Sequence, residues 1–511
     1  MPLNNREKDI ILIKKALIII LIIACFFECI YYPTFNSFLL SCTSLISLLL
    51  FNKFIFKLDV IQNSPIAFFA FSNLTLFMYL PIPVTLLDGN SADHTLKIPE
   101  ITFSLQFLYY IIALAAFYLA FSKSKVNKSR LVWWLYNKRF FPIPTTKTLW
   151  VLGFIGCIPR FILLIANLNI GAGFLSIISF FMYSPLIILF KPLIGGQKTT
   201  KSQKIAVILY FIAIIILLIG TNGRHYLITP IIIVLGCYFI SYFQDLNAPS
   251  ILTLKNIILS IIIFLLISGP ISNLATAMVM VRDVRGDISF NQLITETLTL
   301  MNDTKAIKDF NMTMKSRSES SSNLDWDEHY VSNVFLERFC NYRVVDASIY
   351  HSIRLGWINN SMIKKFTTDI LELPPSPIPQ IFFGLDKSKK DSQMDILYHL
   401  SSREPLSGGL RVGGDVGLGL SIFGIFYFLI ELLVYYVFFR ILNCLFIRKQ
   451  GKIIISFFIL IQLLEYFNSF TVHSGIVRHI GFIIWNFWWT SFVLIITYRI
   501  VTTLFIAKKS I

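Results

Sequence analysis

Runs of about 20 apolar residues recur along this chain, and that is the length a helix needs to cross the hydrocarbon core of a bilayer. Twelve can be marked, at about 10–30, 35–56, 64–84, 101–121, 148–168, 172–190, 205–220, 225–243, 253–275, 416–446, 452–470 and 480–505. Backbone polar groups inside lipid must bond within their own segment, so runs of this length predict helices. The predicted fold is therefore all-α, a polytopic integral membrane protein with about 12 transmembrane helices. Charged residues make up only 14% of the chain, against about 25% in soluble domains. The first run follows a basic start, as in a signal peptide. It lacks a small-residue cleavage site and further runs follow it, so it reads as an uncleaved first span.

Lysine and arginine in short loops set the orientation. The 122–147 loop carries Lys123, Lys125, Lys128, Arg130, Lys138, Arg139 and Lys147 with no acid, and the 191–204 loop carries four lysines with no acid. Arg448, Lys449 and Lys452 mark a third basic turn. With twelve spans, these three loops and both termini share one side, read as the cytoplasm. The segment 277–414 lies on the other side, between helices 9 and 10. It holds 16 Lys+Arg against 17 Asp+Glu, whereas the rest of the chain holds 29 basic and 11 acidic residues. The formal charge of +17 is thus a topology signal and not a nucleic-acid footprint. Three regions follow: 1–276 with helices 1–9, 277–414 as a large extracytoplasmic loop, and 415–511 with helices 10–12.

Seven cysteines do not make a disulfide scaffold, because six lie in or beside apolar runs and only Cys340 falls in the long loop. There is no CxxC or HExxH spacing to hold a metal, and no cofactor is expected.

The outer side gathers cations instead. The turn "GTNGRHYL", Gly220 to Leu227, places Arg224 beside glycines that let a backbone approach a ligand closely. Within the long loop, residues 333–356 predict an amphipathic helix. Phe335, Phe339, Tyr342, Val345, Ile349 and Ile353 form its apolar face, and Arg343, Asp346, Tyr350 and Arg354 a polar stripe. Glu337, Arg338 and His351 lie beside that stripe. An ordinary solvated face with ion pairs would look the same. The prolines of Leu373 to Asp391 forbid a helix through that stretch, and Phe382 and Phe383 suit a membrane surface. The stretch 315–328 reads as flexible. Arg403 and Arg411 precede the tenth span. Gly413, Gly414, Gly417 and Gly419 let the chain turn into the bilayer; no strand precedes them, which rules out a dinucleotide loop. Asp415 then caps the next helix. Arg160, Glu431 and Glu465 fall inside apolar runs, where an ionisable group is a functional candidate. His473, Arg478 and His479 mark the outer turn before the last span.

Taken together, the "GTNGRHYL" turn, the arginine-bearing loop helix, the segment "PIPQIFFGLDKSK" and the glycine-rich "GGDVGLGLSIFG" resemble the O-antigen polymerase group, the Wzy-type oligosaccharide repeat-unit polymerases. The likeness covers the architecture of most of the chain but few residues of motif, and Lys387 lacks the proline that usually follows in the family. The resemblance implies a metal-independent glycosyltransferase of lipopolysaccharide, capsule or exopolysaccharide biosynthesis in a bacterial cytoplasmic (inner) membrane. It would join undecaprenyl-pyrophosphate-linked repeat units on the outer side, with membrane lipid and a chain-length regulator as further partners. On that reading Arg224, Arg343, Arg354, Arg338, Arg411 and Arg160 hold pyrophosphate. Glu337, Asp346, His351 and Asp415 are candidates for the base, with His399 a further one.

Three rivals share parts of this pattern. A lipid-linked oligosaccharide flippase would distribute polar residues along a central path, whereas here they concentrate in one loop. An O-antigen ligase has the same plan and differs in its acceptor. Transferases using polyprenyl monophosphate sugars carry an acidic motif in the first outer loop, and Tyr31 to Asn36 holds no acid.

Overall fold

The computed structural model describes residues 5–122, 130–166, 174–220, 224–245, 250, 252–281, 290–320, 328–333, 336–375, 378–385, 391–406, 411–449, 452–468, 473 and 475–505. Among these, seven helices are long and apolar enough to cross a membrane: Asn5–Tyr31, Phe35–Ile55, Pro99–Ser122, Phe174–Ile194, Lys201–Leu218, Asp415–Leu442 and Ile476–Phe505. Pro65–Tyr79 and Pro81–Leu87 make an eighth if counted as one span; they bend by 48°, where Pro81 cannot donate to the helical ladder. Ile19, Ile20, Ile22, Ile23 and Phe26 of the first helix stand exposed, as on a helix that faces lipid. The chain is a helical, multi-pass membrane protein.

Other apolar helices, Thr146–Ala166, Arg224–Gln244 and Leu254–Leu266, fall on marked runs. Two runs depart from a plain α-helix. The run near 172–190 continues from Phe174–Ser179 as a 3-10 helix, Phe180–Ile194, with Pro185 and Pro192 inside it. The run at 452–470 starts as a strand, Lys452–Ile455, antiparallel to Phe446–Lys449 in the register Phe446↔Ile455. It ends in two short helices, Phe457–Leu460 and Leu463–Asn468.

The long polar segment is largely helical. Helix Thr304–Ser320 takes in the first half of the stretch read as flexible; residues 321–327 lie outside the described residues. The helix predicted over 333–356 is in two pieces, a 3-10 turn Leu336–Phe339 and the helix Tyr342–Leu355. Asn341 makes the break, because its side chain accepts from Val344 N and so starts a new helix. The prolines do admit one short helix, Ile378–Phe383, with Pro379 in its first turn, where no N–H is needed. Ile381 and Phe382 on it are about 70% and 72% exposed.

Helix Tyr342–Leu355 seats the segment on the membrane helices. Asp346 accepts from Lys97 N at 2.6 Å, Ile98 N at 3.0 Å and Thr102 Oγ1 at 2.8 Å. It therefore caps the start of helix Pro99–Ser122. On its other side, helix Tyr342–Leu355 lies against Asp415–Phe423. A Cβ on Gly417 would stand 2.2 Å from Ser348 C, and Gly414 N donates to Ser348 Oγ at 3.1 Å. The glycine run thus serves close helix packing as well as a turn.

Contacts sort the connections into two ends. At one, Ser456 Oγ donates to Phe140 O at 2.5 Å, Arg499 Nη2 to Lys138 O at 3.3 Å, and Gly195 lies beside Ile143 and Ile454. At the other, Tyr32 donates to Gly89 O, Ser332 Oγ to Asp88, and His94 faces Tyr330 O at 2.7 Å.

The packing yields one test. Gly417→Ala should lower thermal stability in detergent by about 1–3 kcal/mol, the usual cost of overpacking. Gly269→Ala, where an added Cβ meets nothing within 4 Å, should be near neutral in the same unfolding measurement.

Candidate functional site

Asp415 is buried at the start of its helix, and its carboxylate is the hub of a polar cluster. Its Oδ1 accepts from Gly475 N, and its Oδ2 accepts from the Tyr109 hydroxyl at 3.0 Å. Tyr109 in turn meets the Tyr435 hydroxyl, and its ring stacks on Tyr427 at 6.5 Å. His479 Nε2 lies 3.9 Å from Asp415 Oδ2, and its Nδ1 lies 2.8 Å from Glu431 Oε1. Asp415, Glu431 and His479 are each at most 1% exposed. Two carboxylates and one imidazole share this buried space. Four elements build the cluster: helix Pro99–Ser122, helix Asp415–Phe423, helix Tyr427–Leu442 and helix Ile476–Gly481.

His479 also lines a cavity of about 410 Å³. Glu465, Arg478, Gln462, Asn486 and Thr490 supply its polar wall, and Trp485 and Trp489 its aromatic wall. Leu373 and Pro375 of the long segment also line it. Arg478 Nη2 lies 3.6 Å from Glu465 Oε2, with the two side chains 44% and 37% exposed. The indole N–H groups of Trp485 and Trp489 are buried with no hydrogen-bond partner among the described residues. The same two tryptophans line an apolar groove of about 650 Å³. A polar chamber therefore abuts a greasy channel.

The residues predicted from sequence do not converge there. Asp415 joins the buried cluster. Arg160 is 7% exposed and donates to Ser179 Oγ at 3.5 Å, one turn beyond Ser176 and Ile177, which line the cavity. Asp346 is the helix cap already described, and burial holds its pKa above the ordinary carboxylate value despite its three donors. Glu337 accepts from Tyr330 N at 2.7 Å and lies 3.5 Å from His329. Arg343 is buried and donates to Thr95 O at 3.4 Å. Arg411 pairs with Asp395 at 2.9 Å and covers the Tyr398 ring at 4.4 Å. Arg354 is exposed at the end of helix Tyr342–Leu355. Arg338 is close enough to His473 that its charge, after burial, helps push that imidazole down to about 4. His399 Nδ1 faces Glu404 O at 2.5 Å. The side chain of Arg224 lies outside the described residues.

Sequence reading singled out Glu431, Glu465, Arg478 and His479 one by one but did not join them. Tyr109, Tyr435 and the two tryptophans were missed, since an aromatic inside an apolar run looks like lipid-facing bulk. The signal available was the pairing of Glu431 with a histidine in the last span, two ionisable groups that each need a partner in lipid. Among the described residues, no three His, Cys, Asp or Glu are grouped as metal ligands would be. Compared with protein-family models, curated proteins and solved structures, the chain shows no match.

His351 gives a pH test of the long segment. It is fully buried, with Nδ1 2.8 Å from Ser401 Oγ. Burial first, then Lys97, Arg354 and Arg411, pushes its pKa down to about 3. The unfolded chain, near 6.5, then takes up a proton before the folded one does. Stability that is complete above pH 6.5 is lost as pH falls toward 3. His351→Gln should flatten that loss, read as the thermal midpoint of the detergent-solubilised protein between pH 7 and pH 4.

Proposed function

We propose that the protein is an oligosaccharide repeat-unit polymerase that acts on undecaprenyl-pyrophosphate-linked glycans. The observation that carries this reading is the polar chamber around Glu465, Arg478 and His479 abutting the tryptophan-lined groove. A substrate with a sugar-pyrophosphate head and a long apolar tail needs both at one place. Leu373 and Pro375 at the chamber bring the long segment onto it, in keeping with a site on the outer side. The proposed topology has twelve spans with both ends in the cytoplasm. The clustering of the 138–143, 191–195 and 447–456 connections at one end supports it.

In the proposed reaction, a sugar hydroxyl of one repeat unit attacks the anomeric carbon of the donor glycan. The bond to the donor's pyrophosphate breaks, and its electron pair leaves with undecaprenyl pyrophosphate. Glu465, open to the chamber, takes the hydroxyl proton. Arg478 stabilises the charge that grows on the leaving pyrophosphate, with Arg160 behind the chamber wall adding positive potential. His479 is held by Glu431 on one side and Asp415 on the other, so its ring is fixed in orientation. Trp485 and Trp489 offer faces for sugar rings.

Deletion of the gene in its host, followed by gel separation of surface glycan, tests the reading. A ladder collapsing to a single repeat unit is the expected result, restored by the wild-type gene. Arg478→Ala should restore it roughly 10²-fold less efficiently, matching about 3 kcal/mol of lost transition-state stabilisation. Loss of even the single-repeat band would overturn the proposal in favour of a flippase, a ligase or an earlier transferase.

A further inference from the structure

The groove that meets the chamber at Trp485 and Trp489 has a second, basic end, and that end carries a further amphiphilic site. There the apolar groove passes between Trp134 and Phe140 on one side and Phe492, Ile495 and Ile496 of helix Phe487–Phe505 on the other. A neighbouring hollow of about 640 Å³ shares Ile495 and Arg499 with it. Lys138 lines the groove, Arg139 the hollow and Arg499 both. Among the described lining residues of the two spaces there is no Asp or Glu. The charge is therefore uncompensated where an apolar channel ends.

The backbone around these cations is specific. Helix Arg130–Asn137 closes with Arg139 N donating to Tyr136 O and Phe140 N to Leu135 O, both at 3.0 Å. Arg139 has φ of 60°, the left-handed position at a helix end that glycine fills without strain. An arginine stands there instead, and its side chain borders the hollow. Arg499 Nη2 donates to Lys138 O at 3.3 Å, which ties the last helix to this turn and holds the three cations together. Trp133, Trp134 and Tyr136 stand exposed beside them, as aromatic residues do at the level of lipid headgroups.

We infer that this is a binding site for one anionic phospholipid. Its phosphate sits among Lys138, Arg139 and Arg499, and one acyl chain lies in the groove against Phe492, Ile495 and Ile496. Arginine forks match phosphate oxygens, and the groove gives the attached chain a place that solvent-exposed cations alone would not. The site shares its groove with the proposed polyprenyl tail but uses the other end of it, and it does not depend on the chamber chemistry.

Trp134 and Trp488, which line the groove, report on occupancy. The full-length protein is reconstituted into phosphatidylcholine vesicles, and dibrominated phosphatidylglycerol or dibrominated phosphatidylcholine is titrated in. Brominated phosphatidylglycerol should quench tryptophan fluorescence at a several-fold lower mole fraction. Arg139→Gly, which relieves the backbone while removing the charge, should fold normally by thermal unfolding and reduce that preference. Lys138→Gln and Arg499→Gln added to it should abolish the preference. Equal quenching of the wild type by the two lipids, or a preference that survives in the triple variant, would overturn the inference.

Discussion

The carboxylate of Asp346 joins the long polar segment to the membrane helices. A backbone turn in lipid-adjacent structure cannot leave its N–H groups bare, and helix Pro99–Ser122 starts at such a turn. Asp346 supplies the acceptors from a segment nearly 250 residues later, taking hydrogen bonds from Lys97, Ile98 and Thr102. The same helix that carries Asp346 rests on Gly414 and Gly417. One face of helix Tyr342–Leu355 thus completes an early helix and the opposite face fixes the start of a late one. Asp415 begins that late helix, between the two glycines of the seam, and accepts from Tyr109 on the early one at 3.0 Å. The long segment thus packs on both helices that carry the buried cluster.

From that cluster the chemistry extends outward by one residue at a time. His479 is shared between the cluster and the cavity, so the cluster meets the chamber through an imidazole held on both sides. Arg478 and Glu465 face each other across the chamber at 3.6 Å, close enough to interact and exposed enough to exchange each other for a ligand. Such a pair contributes little to stability, which leaves it available for binding. The tryptophans then hand the site over to the groove.

Much of the fold was legible in the sequence, because bilayer thickness imposes a length that any apolar run displays. Phe35–Ile55 and Pro99–Ser122 sit on their runs to within a few residues. The failures have local causes. Length cannot tell a strand from a helix, so Ile453, Ile454 and Ile455 of the hairpin read as part of a span. Apolar periodicity cannot see that Asn341 competes for the backbone and restarts a helix. The site was legible only in part. Asp415, Arg478 and His479 each stood out, but so did Asp346 and Glu337, whose oxygens serve backbone donors. Charge within a sequence marks where a partner is needed and does not say whether that partner is a ligand or a peptide N–H.

The central claim is that the chamber holding Arg478, Glu465 and His479 receives the head of a polyprenyl pyrophosphate whose tail passes Trp485 and Trp489. Titrating undecaprenyl pyrophosphate into the purified protein while following tryptophan fluorescence tests it most directly. The account predicts a saturable change in the wild type that weakens at least tenfold in apparent affinity in Arg478→Ala, with unchanged folding. A signal of the same affinity in both proteins, or none in the wild type, would contradict it.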